Sequence, residues 1–209
     1  MKRKHRYILL VPILVILCYR SCYFERLDTA KQKEKQQAFN HAEYARDLWN
    51  NKLTRNLDRA VDAKMLLELL NTDMEEAQKK YARTLGIAGD YYYLLGGQGK
   101  VVSMGEGGVF ISIRAPESDP DIIIATSYIY GNAIRDASGL VNVDEFPSSR
   151  DFNNISEEIN KIVTARVLPP FLEKARPGLI VKFVGAAEIR QADPEIRPLR
   201  VIPVFLEIQ

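Results

Sequence analysis

Few residues of this 209-residue chain are of the types that do chemistry, and their placement limits the reactions open to it. The most distinctive stretch is Ile129-Tyr130-Gly131-Asn132-Ala133-Ile134-Arg135-Asp136-Ala137-Ser138-Gly139. Gly131 and Asn132 suit a backbone with positive φ, and Arg135-Asp136 sets a charge pair between apolar positions. Partly buried, Arg135 can hold a carboxylate, while Asp136 can orient it or take a sugar hydroxyl. The competing reading is an ion pair that fixes a loop between a third strand and a short fourth one. Gly131, Asn132, Arg135 and Asp136 are therefore the candidate ligand or partner contacts, and no residue is assigned a catalytic role.

The remaining inventory removes whole classes of activity. Both cysteines, Cys18 and Cys22, lie in or beside an apolar leader. The body beyond it has no disulfide, no thiolate metal site and no cysteine nucleophile. His5 belongs to the leader, so His41 alone remains, read as a solvated residue at a helix start. A Cys/His zinc site is excluded, and a Ser-His-Asp triad survives only if His41 is its base. No metal and no cofactor is expected. Asp144-Glu145, Glu157-Glu158 and Glu117-Ser118-Asp119-Pro120-Asp121 lack the ligand alternation of a calcium loop and read as solvated acidic segments. Gly96-Gly97-Gln98-Gly99-Lys100 lacks the helix that must follow a phosphate loop and reads as a glycine-bent strand. Asn153, Glu157, Asn160 and Thr164 share a helix face expected to meet water.

The elements that carry these residues follow from periodicity and caps. Asn40 with Glu43 opens a helix placing Tyr44, Leu48, Leu53 and Leu57 near one face, with Trp49 beside it. Asp62 opens a second helix, and Thr72 with Glu75 a third that runs to Leu85. Beyond Gly89 the period falls to two. Strands are expected at Tyr91–Met104, Val109–Arg114 and Asp121–Tyr130, with a turn at Gly105–Gly108 and a short piece at Gly139–Val143. An amphipathic helix spans Ser149–Val167, ended or kinked by Pro169-Pro170. Strands near Leu179–Ile189 and Leu199–Ile208 complete the chain. A three-strand meander, a helix and two strands give an α+β fold with an OB-like β-barrel and the N-terminal helices packed on it. An α+β sandwich is the competing architecture.

The leader gives the address. Lys2-Arg3-Lys4-His5-Arg6 precedes an apolar run, Tyr7 to Leu17, shorter than the roughly 20 residues that span a bilayer. Residues 1–24 are thus a signal peptide or membrane anchor, 25–38 a polar spacer, and 39–209 a single periplasmic domain, helical over 39–88 and OB-like over 89–209. Cys22 or Cys18 is the lipidation candidate, with an uncleaved anchor as the alternative. Residues 1–20 hold five of the 29 Lys and Arg and none of the 27 Asp and Glu, leaving a body of net charge −3. That body has no concentrated basic surface, so nucleic acid is not an expected partner.

Six segments carry a resemblance. They are Tyr44-Ala45-Arg46-Asp47-Leu48-Trp49, Gly97-Gln98-Gly99-Lys100-Val101, Tyr130 to Ala137, Ile155-Ser156-Glu157-Glu158-Ile159-Asn160, Phe183-Val184-Gly185-Ala186 and Ile202-Pro203-Val204. In this order, behind a basic leader with cysteines, they resemble the uncharacterised predicted periplasmic lipoprotein family catalogued as domain of unknown function 2291. The resemblance implies an exported, membrane-tethered domain with an OB-like core. Members often accompany genes for sugar ABC transporters, which implies an accessory role in carbohydrate uptake, and the family supplies no catalytic residues. The expectation is a non-enzymatic binding or accessory module at the periplasmic face of the inner membrane, or at the outer membrane if sorted as a lipoprotein. Its expected partners are the membrane, sugar transporter components or a saccharide. A glycan hydrolase using Asp136, or a structural homo-oligomer of the envelope, are the alternatives.

Overall fold

Helix starts here are set by short polar side chains that satisfy otherwise unpaired amides. The computed structural model describes residues 39–85, 89–114, 119–146, 148–190 and 196–209, so the leader with Cys18 and Cys22 lies outside the described residues. Asn40 Oδ1 accepts from the Glu43 amide at 3.1 Å, and Asn40 Nδ2 donates to the Glu43 carboxylate at 3.0 Å. This opens α1 (His41–Asp47), which widens into a π-helical turn over Leu48–Leu53 and buries Leu48, Trp49 and Leu53. A short turn at Leu57–Arg59 and strand β1 (Val61–Asp62) lead to α2 (Ala63–Thr72), capped by Asp62, which accepts from the Met65 amide at 2.9 Å. The next cap lies one residue beyond the expected Thr72. Asp73 accepts from the Glu76 amide at 2.9 Å to open α3 (Met74–Tyr81), because Thr72 still belongs to α2 and its hydroxyl donates back to the Glu68 carbonyl. The chain leaves α3 before Leu85, where Arg83 exchanges two backbone hydrogen bonds with Tyr92.

Period-two alternation then builds a six-stranded mixed sheet. Its long strands are β2 (Asp90–Gly105), β3 (Gly108–Ser112), β4 (Ile122–Ala125), β5 (Ile180–Arg190) and β6 (Leu199–Ile208). β2 pairs antiparallel with both β3 and β5, β3 antiparallel with β4, β4 parallel with β6, and β6 antiparallel with β5. β1 joins β2 at Leu95 and Gly96. Tyr93, Leu95, Val101, Val109, Ile111, Ile122, Ile124, Val181, Phe183 and Val201 fill the core, with Ala63, Leu66, Leu67 and Leu70 of α2 against them. At the register shift between Val184 and Gly185, a Cβ on Gly185 would stand 2.5 Å from the Ile202 carbonyl oxygen, so only glycine lets β5 coil onto β6 there.

The segment between β4 and the long helix differs from the expected strand and loop. β4 stops at Ala125, and Ala133–Ser138 is a helix, α4. No strand forms at Gly139–Val143. α4 forms because Ala133, Ile134 and Ala137 repeat at helical spacing, and Gly139 ends it at φ +59°; Val143–Glu145 is a 3₁₀ turn capped by Asn142, which accepts from the Asp144 amide at 3.2 Å. Downstream, α5 (Ser149–Ile162) passes through a π-helical turn at Val163–Val167 into α6 (Leu168–Lys174). Pro169-Pro170 therefore neither ends the helical run nor breaks it. The wide turn absorbs the misfit before the prolines, which lie in the first turn of α6, where a missing N–H costs little.

Two residues read as solvated, His41 and Asp121, are tied down instead. His41 Nε2 meets Asp151 Oδ1 at 2.8 Å, joining α1 to α5. Asp121 is fully buried, accepting from the Ile113 amide at 3.1 Å and Arg114 Nε at 2.6 Å, with the Ser112 hydroxyl at 3.4 Å. Asp121→Ala orphans these donors, and the expected loss is about 3 kcal/mol, a fall in Tm of roughly 10 °C by circular dichroism. A variant as stable as the parent contradicts that role. Hydrogen bonds from Ser148 and then from His41 hold the Asp151 carboxyl below its ordinary 3.8. A depressed folded pKa contributes stability that is present above 3.8 and is lost as pH falls through the lowered value. Asp151→Asn should flatten the acid limb of a stability–pH profile below that point and leave the limb above neutrality unchanged.

Candidate functional site

The side chains facing away from the core on β2, β5 and β6 form one wall of a groove. Tyr93 and Leu95 point inward from β2, so Asp90 and Tyr92 point outward. Ala187 and Ile189 point inward from β5, so Ala186, Glu188 and Arg190 point outward. Cross-strand register sets Asp90 opposite Arg190 and Tyr92 opposite Glu188. Arg190 Nε donates to Glu188 Oε1 at 2.9 Å, and Arg200 and Ile202 extend the wall along β6. Burial, reinforced by the Glu188 charge, pushes the Tyr92 phenol up to about 12, so it is a protonated hydrogen-bonding group across the neutral range.

The facing wall is the Ser127–Asn132 segment that carries the chain out of β4. Tyr128 adopts φ +54°, the left-handed region that a side chain of this size rarely enters, and Gly131 follows at φ +85°. Both ends of the segment are held. Arg200 donates through one terminal nitrogen to the Ser127 carbonyl at 2.9 Å and the Tyr128 carbonyl at 2.8 Å. Asn160 Nδ2 of α5 donates to the Gly131 carbonyl at 2.9 Å. The backbone is thus fixed while the rings of Tyr128 and Tyr130 stay 71% and 67% exposed. Between the walls lies a cavity of about 590 Å³. A Cβ on Gly131 would be 3.9 Å from Glu188 Oε2, which gives the closest approach of the two sides at that point. On the other side of Tyr130 a shallower, mostly apolar groove of about 560 Å³ runs between Ile129 and the Glu157–Ala165 side of α5.

The four residues singled out in the sequence divide into two pairs. Gly131 and Asn132 line the cavity. Arg135 and Asp136, exposed by only 2% and 8%, turn away from it and into the protein. Arg135 Nε and one terminal nitrogen donate to the two Asp136 carboxylate oxygens at 2.6 and 3.1 Å. The other terminal nitrogen donates to the Phe152 carbonyl at 2.9 Å and Asn153 Oδ1 at 3.2 Å, and the guanidinium lies 3.6 Å above the Phe152 ring. Four of the five N–H donors of this buried guanidinium are taken by partners inside the protein, and the contacts to Phe152 and Asn153 fix α4 to α5. Of the helix face of Asn153, Glu157, Asn160 and Thr164, expected in water, Asn153, Glu157 and Thr164 are exposed, and Asn160 alone is buried, its side-chain amide on the Gly131 carbonyl.

Tyr92, Tyr128, Glu188, Arg190 and Arg200 were not singled out. Strand alternation at Ala186, Glu188 and Arg190 is the signal that places polar groups outside the core. The partner wall depends on the positive φ of Tyr128, which leaves no mark on residue type. Among the described residues no group of three His, Cys, Asp or Glu side chains could hold a metal ion.

Comparison with known proteins supplies the family but no activity. The chain is similar to an OB-fold protein from Thermotoga maritima MSB8 known from a crystal structure, with 30% identity, a TM-score of 0.76, and coverage of 83% of this chain and 100% of that one. The parallel β4–β6 pair and the helical run between β4 and β5 accord with that fold, and the α+β OB-like reading stands on it. No curated protein matches. The sequence profile of the predicted periplasmic lipoproteins, DUF2291, matches residues 12–207, and the chain belongs to that family.

Proposed function

We propose that the groove between the Tyr128–Tyr130 segment and the outward face of β5 binds a saccharide, and that the protein is a membrane-tethered accessory module of carbohydrate uptake rather than an enzyme. One observation carries this reading. Two exposed tyrosine rings stand on a backbone held at both ends by Arg200 and Asn160, opposite a row of fixed polar groups. Aromatic faces take the C–H faces of a sugar ring, and they lose little entropy when the backbone beneath them is already fixed. Asp90, Glu188 and Arg190 then offer acceptors and donors for hydroxyls, with their charges balanced by neighbours within the wall. A cavity of about 590 Å³ falls in the range of small-molecule sites. Tethering through a lipid at Cys22 or Cys18, or through an uncleaved anchor, would hold this site at the periplasmic face of the inner membrane, or at the outer membrane for a sorted lipoprotein. Contact with a sugar transporter component is the partnership that the family resemblance suggests. The hydrolase alternative named Asp136, which is spent on Arg135 inside the fold, and nothing in the groove favours it.

The test is calorimetry and glycan-array binding with full-length protein in a polyoxyethylene detergent, which carries no sugar headgroup. Saturable binding of a mono- or oligosaccharide is expected, weakened at least roughly tenfold by Tyr130→Ala or Tyr128→Ala with Tm nearly unchanged. Failure of a broad saccharide panel, or full affinity in both tyrosine variants, overturns the proposal. Asp136→Asn disturbs the buried ion pair that positions the segment entering α4, and should cost about 3 kcal/mol of stability, read by circular dichroism.

A further inference from the structure

We infer that a second, separate pocket at the C-terminal end of α4 is a binding site for a phosphate-type oxyanion. Arg59, Lys80 and Arg83 line a cavity of about 190 Å³ together with Tyr81, Ala137 and Ser138. No carboxylate lines it. Among the described residues none of the three cations has an acidic partner. Asp58 and Glu76, near Arg59 and Lys80 in sequence, do not line the pocket, and Asp62 and Asp136 are committed elsewhere, to the cap of α2 and to Arg135. Such a cluster stands out on a body whose net charge is −3.

Three independent elements bring the cations together, so helical spacing on one surface does not explain them. Arg59 ends the turn before β1, Lys80 lies in the last turn of α3, and Arg83 is clamped to β2 by two backbone hydrogen bonds with Tyr92. Arg83 is placed more tightly still. Its guanidinium occupies the space a side chain at position 139 would need, and Gly139 leaves that space free while closing α4 at φ +59°. The last residues of α3 and α4 face the pocket, and a helix C-terminus carries about −0.5 charge. Two such ends offset roughly one of the three positive charges, leaving about two, which a phosphate monoester dianion matches. The volume also suits it. At ~30 Å³ per water the cavity holds about six waters, room for one tetrahedral oxyanion with part of its hydration and far smaller than the saccharide groove. Guanidinium forks and an ammonium provide the donors that phosphate oxygens take.

Phosphate of this kind comes from a phospholipid headgroup or from a free phosphate compound, and the experiment separates the two. Full-length protein in polyoxyethylene detergent, in a low-salt buffer free of phosphate, is titrated calorimetrically with inorganic phosphate, glycerol 3-phosphate and dihexanoyl phosphatidate below its micellar concentration. Saturable binding is expected by about 10 mM, weakened at least roughly tenfold in the Arg59→Ala/Lys80→Ala double variant and unchanged in Lys182→Ala, an exposed cation on β5 that does not line the pocket. Tighter binding of the phosphatidate identifies the lipid headgroup as the source, and equal binding of all three identifies the free compound. Lys80→Glu, checked for folding by circular dichroism, is a second surface change that should abolish the heat. Absence of saturable heat with all three titrants, or equal binding by the double variant and the parent, overturns the inference. The saccharide groove is untouched by these substitutions, so the outcome is independent of that reading.

Discussion

The geometry of the groove depends on one buried ion pair. Moving an isolated arginine and an aspartate out of water costs several kcal/mol each, and attraction repays this only when every remaining donor and acceptor is satisfied. Arg135 comes close to that condition: four of its five N–H groups go to Asp136, the Phe152 carbonyl and Asn153, and its flat face lies on the Phe152 ring. Because the arginine belongs to α4 and three of its contacts belong to α5, the pair locks one helix to the other. α5 is in turn tied to α1 through His41 and Asp151, and Phe152 continues a run of aromatic contacts through Phe146 to Tyr44. The Ser127–Asn132 segment is the chain that enters α4, so its position is inherited from this lock.

Strand alternation supplies the other wall at little extra cost. The same β5 that sends Val181, Phe183, Ala187 and Ile189 into the core presents Ala186, Glu188 and Arg190 outward, and β2 does likewise with Tyr93 and Leu95 against Asp90 and Tyr92. A slip of one residue in register would exchange the two sets, placing Glu188 and Arg190 in the core. The requirement that the core be apolar therefore fixes which polar groups reach the groove. α4 packs on this outward face of β2 and β5 and divides it, with the tyrosine groove at its N-terminal end and the basic pocket at its C-terminal end.

What was legible in the sequence follows the range of the forces involved. The strands from Tyr91, Val109, Leu179 and Leu199, the Gly105–Gly108 turn and the caps at Asn40 and Asp62 are local effects, readable from a few neighbouring residues. α4 was missed because it is a single short helix whose stability comes from burial of Arg135 and Asp136, and two charged residues in six argue against burial when seen alone. The same reasoning misplaced Asp121 and Asn160 in solvent, since their partners lie on other elements. Gly131 and Asn132 were marked for positive φ and both line the groove, but only Gly131 takes that conformation; Asn132 lies at φ −110° as the residue before α4. Tyr128, with the most unusual backbone of that segment, was passed over because nothing local calls for a positive φ at a tyrosine.

The strained tyrosine is the feature on which the proposed saccharide site rests. A non-glycine residue in the left-handed region costs on the order of 1–3 kcal/mol, and the fold must over-determine it to keep it there. Arg200 does so by bonding the carbonyls on either side of the strained residue, and Asn160 secures the far end at Gly131. Stability alone gives no reason for this arrangement, because a glycine at position 128 would remove the strain and the need for the arginine. It removes the ring as well. What the strain achieves is to hold the Tyr128 ring out beside that of Tyr130, in the groove lined by Glu188 and Arg190, which is the preorganisation the proposed saccharide site requires. A surface prepared in this way meets its ligand without reordering its backbone, which is the condition under which a small number of contacts gives useful affinity.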